Sequence, residues 1–310
     1  GVSERRPNPI RADPADPRSR WLIGDATAMT ASAKLRGPCP YLGRTGVFTG
    51  GANAVFYLER VPGCGRYRNV VERAKRAAPQ VEVELEDELV YEIVRGRDLQ
   101  PWRVSGHGLL LCPHTAETRL RAIPPDELSI SHPQAFAYLS SMRSVLDARK
   151  GFSGWEQGFR AEAFYAIQRV GAYSFSPYKV AWKYIAKGFT VAVLGPDSRG
   201  RPRLPNDKVM SVAVDSPAEA FYLCALLSCS PVRWLVNAQT SGRQVSASAI
   251  ANLGLPRFDG RSALHRALAD QCEAGHQEHD IAPRLAVVDG LSAELFGLDD
   301  AMLLACQRQV

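Results

Sequence analysis

The sequence predicts an α+β protein, in which a mixed or antiparallel β-sheet is packed with helices and followed by a C-terminal helical segment. Short strand-like runs, such as residues 89–94 and 109–112, fill the first half of the chain. From Ser131, apolar residues recur every three or four positions, as they do on the buried face of a helix. A capping box at residues 216–219, with proline at the first helical position, predicts a helix over residues 218–227.

The composition is that of a globular protein with one large or two medium domains. The chain has 310 residues, 45% of them apolar, and no apolar run reaches the ~18 residues that span a bilayer. The arginine- and proline-rich start lacks the apolar core of a signal peptide, so we expect a cytoplasmic protein without membrane contact. Seven scattered cysteines without a CxxC pair predict reduced thiols.

Composition and charge divide the chain into three parts. We expect an extended lead-in over residues 1–20, a main domain over 21–258 with a sub-boundary near 130–150, and a helical packing or spacer segment over 259–310. Residues 143–208 hold 12 Lys and Arg against 5 Asp and Glu, whereas residues 260–310 hold 4 Arg against 8 acids. The basic middle suits phosphate, and the acidic tail suits protein or solvent.

A glycine-rich stretch, residues 43–56, lies between two apolar, strand-like runs and carries hydroxyl, amide and guanidinium groups. Its four glycines allow positive φ angles or the close approach of another surface, because glycine has no Cβ. The stretch predicts either a turn that faces a ligand or a plain hairpin with a bulge.

Two guanidinium groups follow the predicted strand 89–94, in the turn Arg95-Gly-Arg-Asp98. Arginine binds guanine or phosphate through paired N–H groups, and Asp98 can orient one arginine by a fork-shaped ion pair. The alternative is a surface turn held by the same pair.

Aromatic and basic side chains alternate over residues 176–183. Tyr178, Val180 and Trp182 are predicted on one strand face, and Lys179 and Lys183 on the other. This arrangement supplies stacking surfaces and phosphate contacts. Farther along, the polar glycine loop 239–246 carries hydrogen-bonding groups that suit base edges or phosphates.

Eight segments follow one another in order: GRTGVFTGGANAVFYL, ELVYEIVRGRDLQPW, a helix ending in Arg149, SPYKVAWK, DKVMSVAV, PAEAFYLCALLSCSPVRWLV, TSGRQVSASAIANLGLPRF and LSAELFGLDDAM. Their succession resembles the C-terminal target-recognition region of adenine-N6 DNA methyltransferases, in particular the fused restriction-modification methylases of the Eco57I type and related phage-defence methylases. The resemblance extends over residues 40–300.

The resemblance implies a module that reads double-stranded DNA. A methyltransferase catalytic domain, fused upstream or supplied in trans, would transfer methyl from S-adenosylmethionine. This chain has neither the Asn/Asp-Pro-Pro-Tyr/Phe tetrapeptide of such catalysts nor a glycine-rich cofactor loop after a strand in its first hundred residues. We therefore expect no catalytic residue and no cofactor in this chain.

The resemblance also implies a set of DNA contacts on the sheet and its loops. These are Arg44, Thr45, Thr49, Asn53, Arg95, Arg97, Lys179, Trp182, Lys183, Ser241, Arg243 and Gln244. We assign phosphate positioning to the lysines and Arg243, and base reading to Arg or Asn side chains.

Other hypotheses stay open. A nuclease would use Asp98 with the acids of residues 82–88, and a thiol enzyme would use Cys112 with His114. The acidic tail would dock a partner subunit in a protein-interaction module. One face of a predicted helix carries Cys272, His276 and His279. These side chains would bind a metal or face solvent, and we favour the solvent-facing arrangement because the sequence shows no fourth ligand.

Overall fold

The computed structural model describes residues 10–11, 21–22, 25–72, 74–149, 156–240 and 244–310. The strands are β1 (Ile10–Arg11), β2 (Trp21–Leu22), β3 (Gly43–Thr45), β4 (Tyr57–Arg60), β5 (Tyr67–Asn69), β6 (Glu82–Val83), β7 (Val90–Val94), β8 (Leu99–Gln100), β9 (Arg103–Val104), β10 (Gly108–Leu111), β11 (Tyr178–Lys183), β12 (Val191–Leu194), β13 (Leu204–Pro205) and β14 (Val209–Val214).

The helices are α1 (Ala26–Lys34), α2 (Asn53–Phe56), α3 (Pro125–Ser131), α4 (Pro133–Ser141), α5 (Arg143–Asp147), α6 (Glu156–Glu162), α7 (Pro217–Ser228), α8 (Ser230–Gln239), α9 (Ala263–Gly275), α10 (Ala282–Phe296) and α11 (Asp300–Gln307). Helices and sheets together confirm the predicted α+β class. None of these helices is by itself long and apolar enough to span a membrane, and the apolar pair α7 and α8 is bent by 66°.

A four-stranded antiparallel sheet, in the order β12-β11-β14-β3, holds one core of the molecule. One face packs against α7, so that Trp182 and Tyr222 belong to the same apolar cluster. On the other face, Ala181 lies in a second cluster with Val94 and Leu99. Strand β11 is therefore covered on both faces, whereas its alternating sequence predicted a half-exposed strand.

Helix α7 begins as the capping box predicts. The Ser216 hydroxyl accepts the backbone N–H of Glu219 at 3.4 Å, and Pro217 occupies the first turn. Helix α8 starts at Ser230, whose N–H and hydroxyl both donate to the carboxylate of Asp289 on α10 at 2.7 Å. Helices α9 and α10 thus pack on the core of the four-stranded sheet, while the predicted domain limits stay a prediction.

A six-stranded sheet, in the order β13-β7-β10-β4-β5-β6, holds the other core. Strands β13 and β7 are parallel and the remaining pairs are antiparallel, so this sheet is mixed. Helix α4 covers it, and the Tyr138 hydroxyl donates to the carbonyl of Val55 at 2.6 Å. The predicted long helix from Ser131 is divided into α4 and α5.

The glycine-rich stretch connects the two sheets and is not a hairpin. Strand β3 pairs with β14 in the four-stranded sheet, and β4 pairs with β10 in the other. Gly50 and Gly51 take φ angles of 70° and 82° in the turn between them. A Cβ at Gly43 would collide with the carbonyl of Ala247, and one at Gly46 with the carbonyl groups of Pro205 and Asn206. Both predicted uses of glycine are present, and the stretch brings the two sheets together.

Candidate nucleic-acid interface

Two adjoining cavities, of about 620 and 950 Å³, open where the two sheets meet. They share Asn53, Asn206 and Lys208 in their walls. We call the combined depression the basic groove and define it by Thr45, Asn53, Glu72, Lys75, Arg95, Arg97, Arg169, Lys183, Tyr184, Ile185, Asn206, Asp207 and Lys208.

Five of the predicted DNA contacts line this groove although they lie far apart in the sequence. Thr45 and Asn53 lie in the smaller cavity. Asn53 also borders the larger cavity, together with Arg95, Arg97 and Lys183. The glycine-rich stretch, the end of β7 and the end of β11 therefore present polar side chains to one depression.

The Arg95–Asp98 pair has the fork-shaped geometry that the sequence predicts. Asp98 Oδ2 accepts the backbone N–H of Arg95 at 2.8 Å and its Nε at 3.0 Å, and Oδ1 accepts from Nη2 at 3.5 Å. Asp98 is buried, whereas the Arg97 side chain is 66% exposed. The buried carboxylate therefore fixes Arg95, while Arg97, whose Nε lies 3.9 Å from Asp98 Oδ1, is held only loosely and stays largely exposed in the groove.

Thr49 orients a side chain in the wall of the groove. Its side chain is buried, and its hydroxyl donates to Asn53 Oδ1 at 2.5 Å. The predicted direct contact of Thr49 with DNA is therefore corrected to the orientation of Asn53.

Lys179 and Trp182 cannot reach a duplex, because β11 is covered on both faces. Lys179 is 1% exposed, and its Nζ donates to the carbonyl of Ser176 at 2.6 Å. Burial lowers the pKa of Lys179 to about 7. Trp182 is fully buried, and its Nε1 donates to the carbonyl of Val245 at 3.2 Å. Both DNA-contact predictions are corrected to roles in the core.

Arg44 points to a different surface from its neighbour Thr45. Side chains alternate along β3, and the Arg44 guanidinium lies 5.2 Å from the ring centre of Tyr173. Gln244 lies beside the groove, where its Oε1 accepts from the Tyr184 hydroxyl at 3.2 Å. The predicted contacts Ser241 and Arg243 lie outside the described residues.

A turn after β13 supplies groove residues that the sequence did not single out. Asn206 Oδ1 accepts the backbone N–H of Lys208 at 3.1 Å, and Lys208 Nζ lies 2.9 Å from Asp207. An Asn-Asp pair between two strands is a turn signal, but its position beside Asn53 and Arg97 depends on pairing between distant strands.

Several of the groups proposed for an enzyme have structural roles. Glu86 accepts the N–H groups of Gln134 and Ala135 at 2.9 Å and so caps α4. Burial raises the pKa of the Cys112 thiol to about 12, so no thiolate is available. His114 is equally buried: its Nδ1–H donates to the carbonyl of Arg119 at 2.9 Å, and its Nε2 accepts the N–H of Ile167 at 3.0 Å.

Cys224 joins Cys272 and His276 in the one group of described side chains close enough to share a metal, with ligand atoms within 4.8 Å. The predicted solvent-facing arrangement is wrong, because Cys272 is buried, and exposed His279 lies beyond the end of α9. His276 Nε2 already accepts the N–H of Val193 at 3.1 Å, and its Nδ1 donates to the carbonyl of Cys272 at 2.7 Å. A metal would have to displace one of these bonds, so we assign the group to packing.

The fold is of a class that occurs within restriction-modification enzymes. The Type IIL restriction-modification enzyme MmeI, solved in complex with DNA, matches 89% of this chain with a TM-score of 0.51 and 8% identity. The type IIG restriction endonuclease BpuSI matches 92% with a TM-score of 0.46 and 12% identity. The chain spans 37% and 32% of those two proteins. No family model and no curated protein matches the sequence.

Proposed function

We propose that the chain binds double-stranded DNA in the basic groove and reads its sequence there. The proposal rests on the charge of the groove, which six basic side chains and only two acids line. The basic side chains are Lys75, Arg95, Arg97, Arg169, Lys183 and Lys208. Such a concentration of positive charge attracts the phosphate backbone, and the amides and arginines among the lysines supply donors for base edges. Similarity in fold to MmeI, which was solved with DNA, supports this assignment.

The chain's biological role would be that of the specificity module of an adenine-N6 DNA methyltransferase, of the Eco57I type, in restriction-modification or phage defence. S-adenosylmethionine would be bound by a catalytic domain fused upstream or supplied in trans. The groove itself does not form a cofactor loop: the helix after Gly50 and Gly51 has four residues and leads into a different sheet. We therefore assign the described residues to binding and sequence reading.

Within the groove, Lys183 and Lys208 would contact phosphates, since a flexible ammonium group carries charge without a fixed hydrogen-bonding pattern. Arg97 is the first candidate for base reading. Its exposed guanidinium is held on a short turn whose carboxylate is already engaged by Arg95, and arginine reads guanine through two parallel bonds.

Binding of the full 310-residue chain to labelled duplexes, measured by fluorescence anisotropy across a salt series, tests the proposal. We expect affinity for duplexes of pooled random sequence to fall steeply as salt rises. Binding that is indifferent to salt, or absent at low salt, would show that the groove is not a DNA site.

The sequence-reading part of the proposal has its own test. Duplexes retained from a random pool by the wild type and by Arg97→Ala are sequenced. We expect Arg97→Ala to relax the preference at one base pair, and Lys183→Ala to weaken binding to all sequences alike. An unchanged preference in Arg97→Ala would remove Arg97 from base reading and leave DNA binding standing.

A further inference from the structure

Ile185 is an apolar side chain placed among cations. It is 60% exposed and lines the same cavity as Arg97, Lys183 and Lys208. It belongs to none of the apolar clusters found among the described residues. Since it stabilises no core, its exposed surface is available to whatever enters the groove.

The backbone around Ile185 is held on two sides. The N–H of Tyr184 donates to the carbonyl of Lys208 at 2.9 Å, and the N–H of Val245 donates to the carbonyl of Tyr184 at 2.8 Å. Ile185 itself forms an antiparallel bridge with Gln244. The side chain is thus presented from hydrogen-bonded backbone at the end of β11, which suits a contact that must be placed accurately.

We infer that Ile185 contacts the C5 methyl group of a thymine, an inference that rests on the proposed DNA binding. Among base edges in the major groove, this methyl is the apolar group, while the others donate or accept hydrogen bonds. Insertion between two bases is the other use of such a side chain. The free energy needed to unstack a base step is at least as large as the free energy gained by burying one isoleucine side chain, so we favour a contact with the base edge without insertion.

Replacement of thymine by deoxyuridine removes this methyl and nothing else. Duplexes retained by the full chain from a random pool are sequenced, and each thymine of the preferred site is replaced in turn. We expect one replacement to weaken binding by about fourfold, as the loss of one buried methyl group predicts. Ile185→Ala should bind the thymine and deoxyuridine duplexes equally. Ile130→Ala, which alters a side chain 83% exposed on α3, should keep the difference.

The outcomes separate the inference from the function on which it rests. A wild-type chain that retains no duplex would overturn both. If the chain binds a preferred site but no replacement weakens binding, or that site contains no thymine, the inference fails and DNA binding stands. The inference is also overturned if Ile185→Ala loses the same affinity for the thymine duplex and for its deoxyuridine counterpart. In that case the variant would still distinguish the two duplexes as the wild type does.

Discussion

The carbonyl oxygen of Lys208 accepts the backbone N–H of Tyr184 at 2.9 Å and so connects the turn after β13 to the end of β11. The same turn is fixed internally by Asn206, whose side chain accepts the N–H of Lys208. Lys208 therefore stands on hydrogen-bonded backbone between the two cavities of the basic groove. Because the backbone of this lysine is already ordered, only its flexible side chain loses conformational freedom when a ligand arrives, which lowers the entropy cost of binding.

Arg95 and Asp98 should act as one unit in duplex binding. Because the carboxylate holds both the guanidinium and the backbone N–H of Arg95, Arg95→Ala and Asp98→Asn remove parts of the same arrangement. We expect each to weaken duplex affinity, and the double variant to cost less than the sum by on the order of 1 kcal/mol. Affinity measured around this double-mutant cycle checks the coupling, and strictly additive losses would contradict it.

Lys179→Met should leave duplex binding unchanged. The pKa of Lys179 is lowered by burial from 10.5 to about 7, so between these pH values folding requires the amine to lose a proton that it keeps in the unfolded chain, which destabilises the folded protein. Removing the amine should raise the free energy of unfolding at neutral pH by on the order of 1 kcal/mol, partly offset by the lost bond to Ser176. Chemical denaturation and the salt dependence of binding are the two measurements. A shallower salt dependence would restore Lys179 as a phosphate contact.

His114 should make stability depend on pH. Burial lowers its pKa from 6.5 to about 4, so below pH 6.5 the unfolded chain binds a proton that the folded chain does not. The free energy of unfolding should therefore fall as the pH drops from 6.5 toward 4, by about 3 kcal/mol for this group. Denaturation of His114→Gln should lack this part of the pH dependence, and His279→Gln, at an exposed position, should retain it. Parallel curves for wild type and His114→Gln would rule the explanation out.

Two glycine substitutions should change stability in opposite directions. A Cβ at Gly275 would collide with the ring of Trp102, while one at Gly290, inside α10, meets nothing within 4 Å. Gly275→Ala should lower the free energy of unfolding by about 1 to 3 kcal/mol through overpacking. Gly290→Ala should raise it by about 0.5 to 1 kcal/mol, because alanine favours the helix. Thermal unfolding of both variants tests the packing of α9 against Trp102.

Features set by nearby residues could be predicted from the sequence. The capping box starts α7 where expected, and Asp98 pairs with Arg95. Each depends on residues within a few positions of one another, where backbone geometry and hydrogen-bonding chemistry decide the outcome.

Features that depend on distant pairing could not be predicted. The alternation of β11 correctly placed Lys179 and Lys183 on one face, but it could not show that Val94 and Leu99 would cover that face near its middle. Likewise Cys224 joins Cys272 because α7 packs on α9, which no local period records. The groove itself exists because β3 and β4 belong to different sheets.

The most direct test of the basic groove compares two charge-removing double variants across a salt series. Lys183→Ala/Lys208→Ala removes two groove cations, and Arg261→Ala/Arg308→Ala removes two exposed cations outside it. For duplexes of pooled random sequence, the slope of log affinity against log salt should become shallower by about 2 in the groove variant, with no change in the control. An unchanged slope in the groove variant, or equal changes in both, would contradict the account.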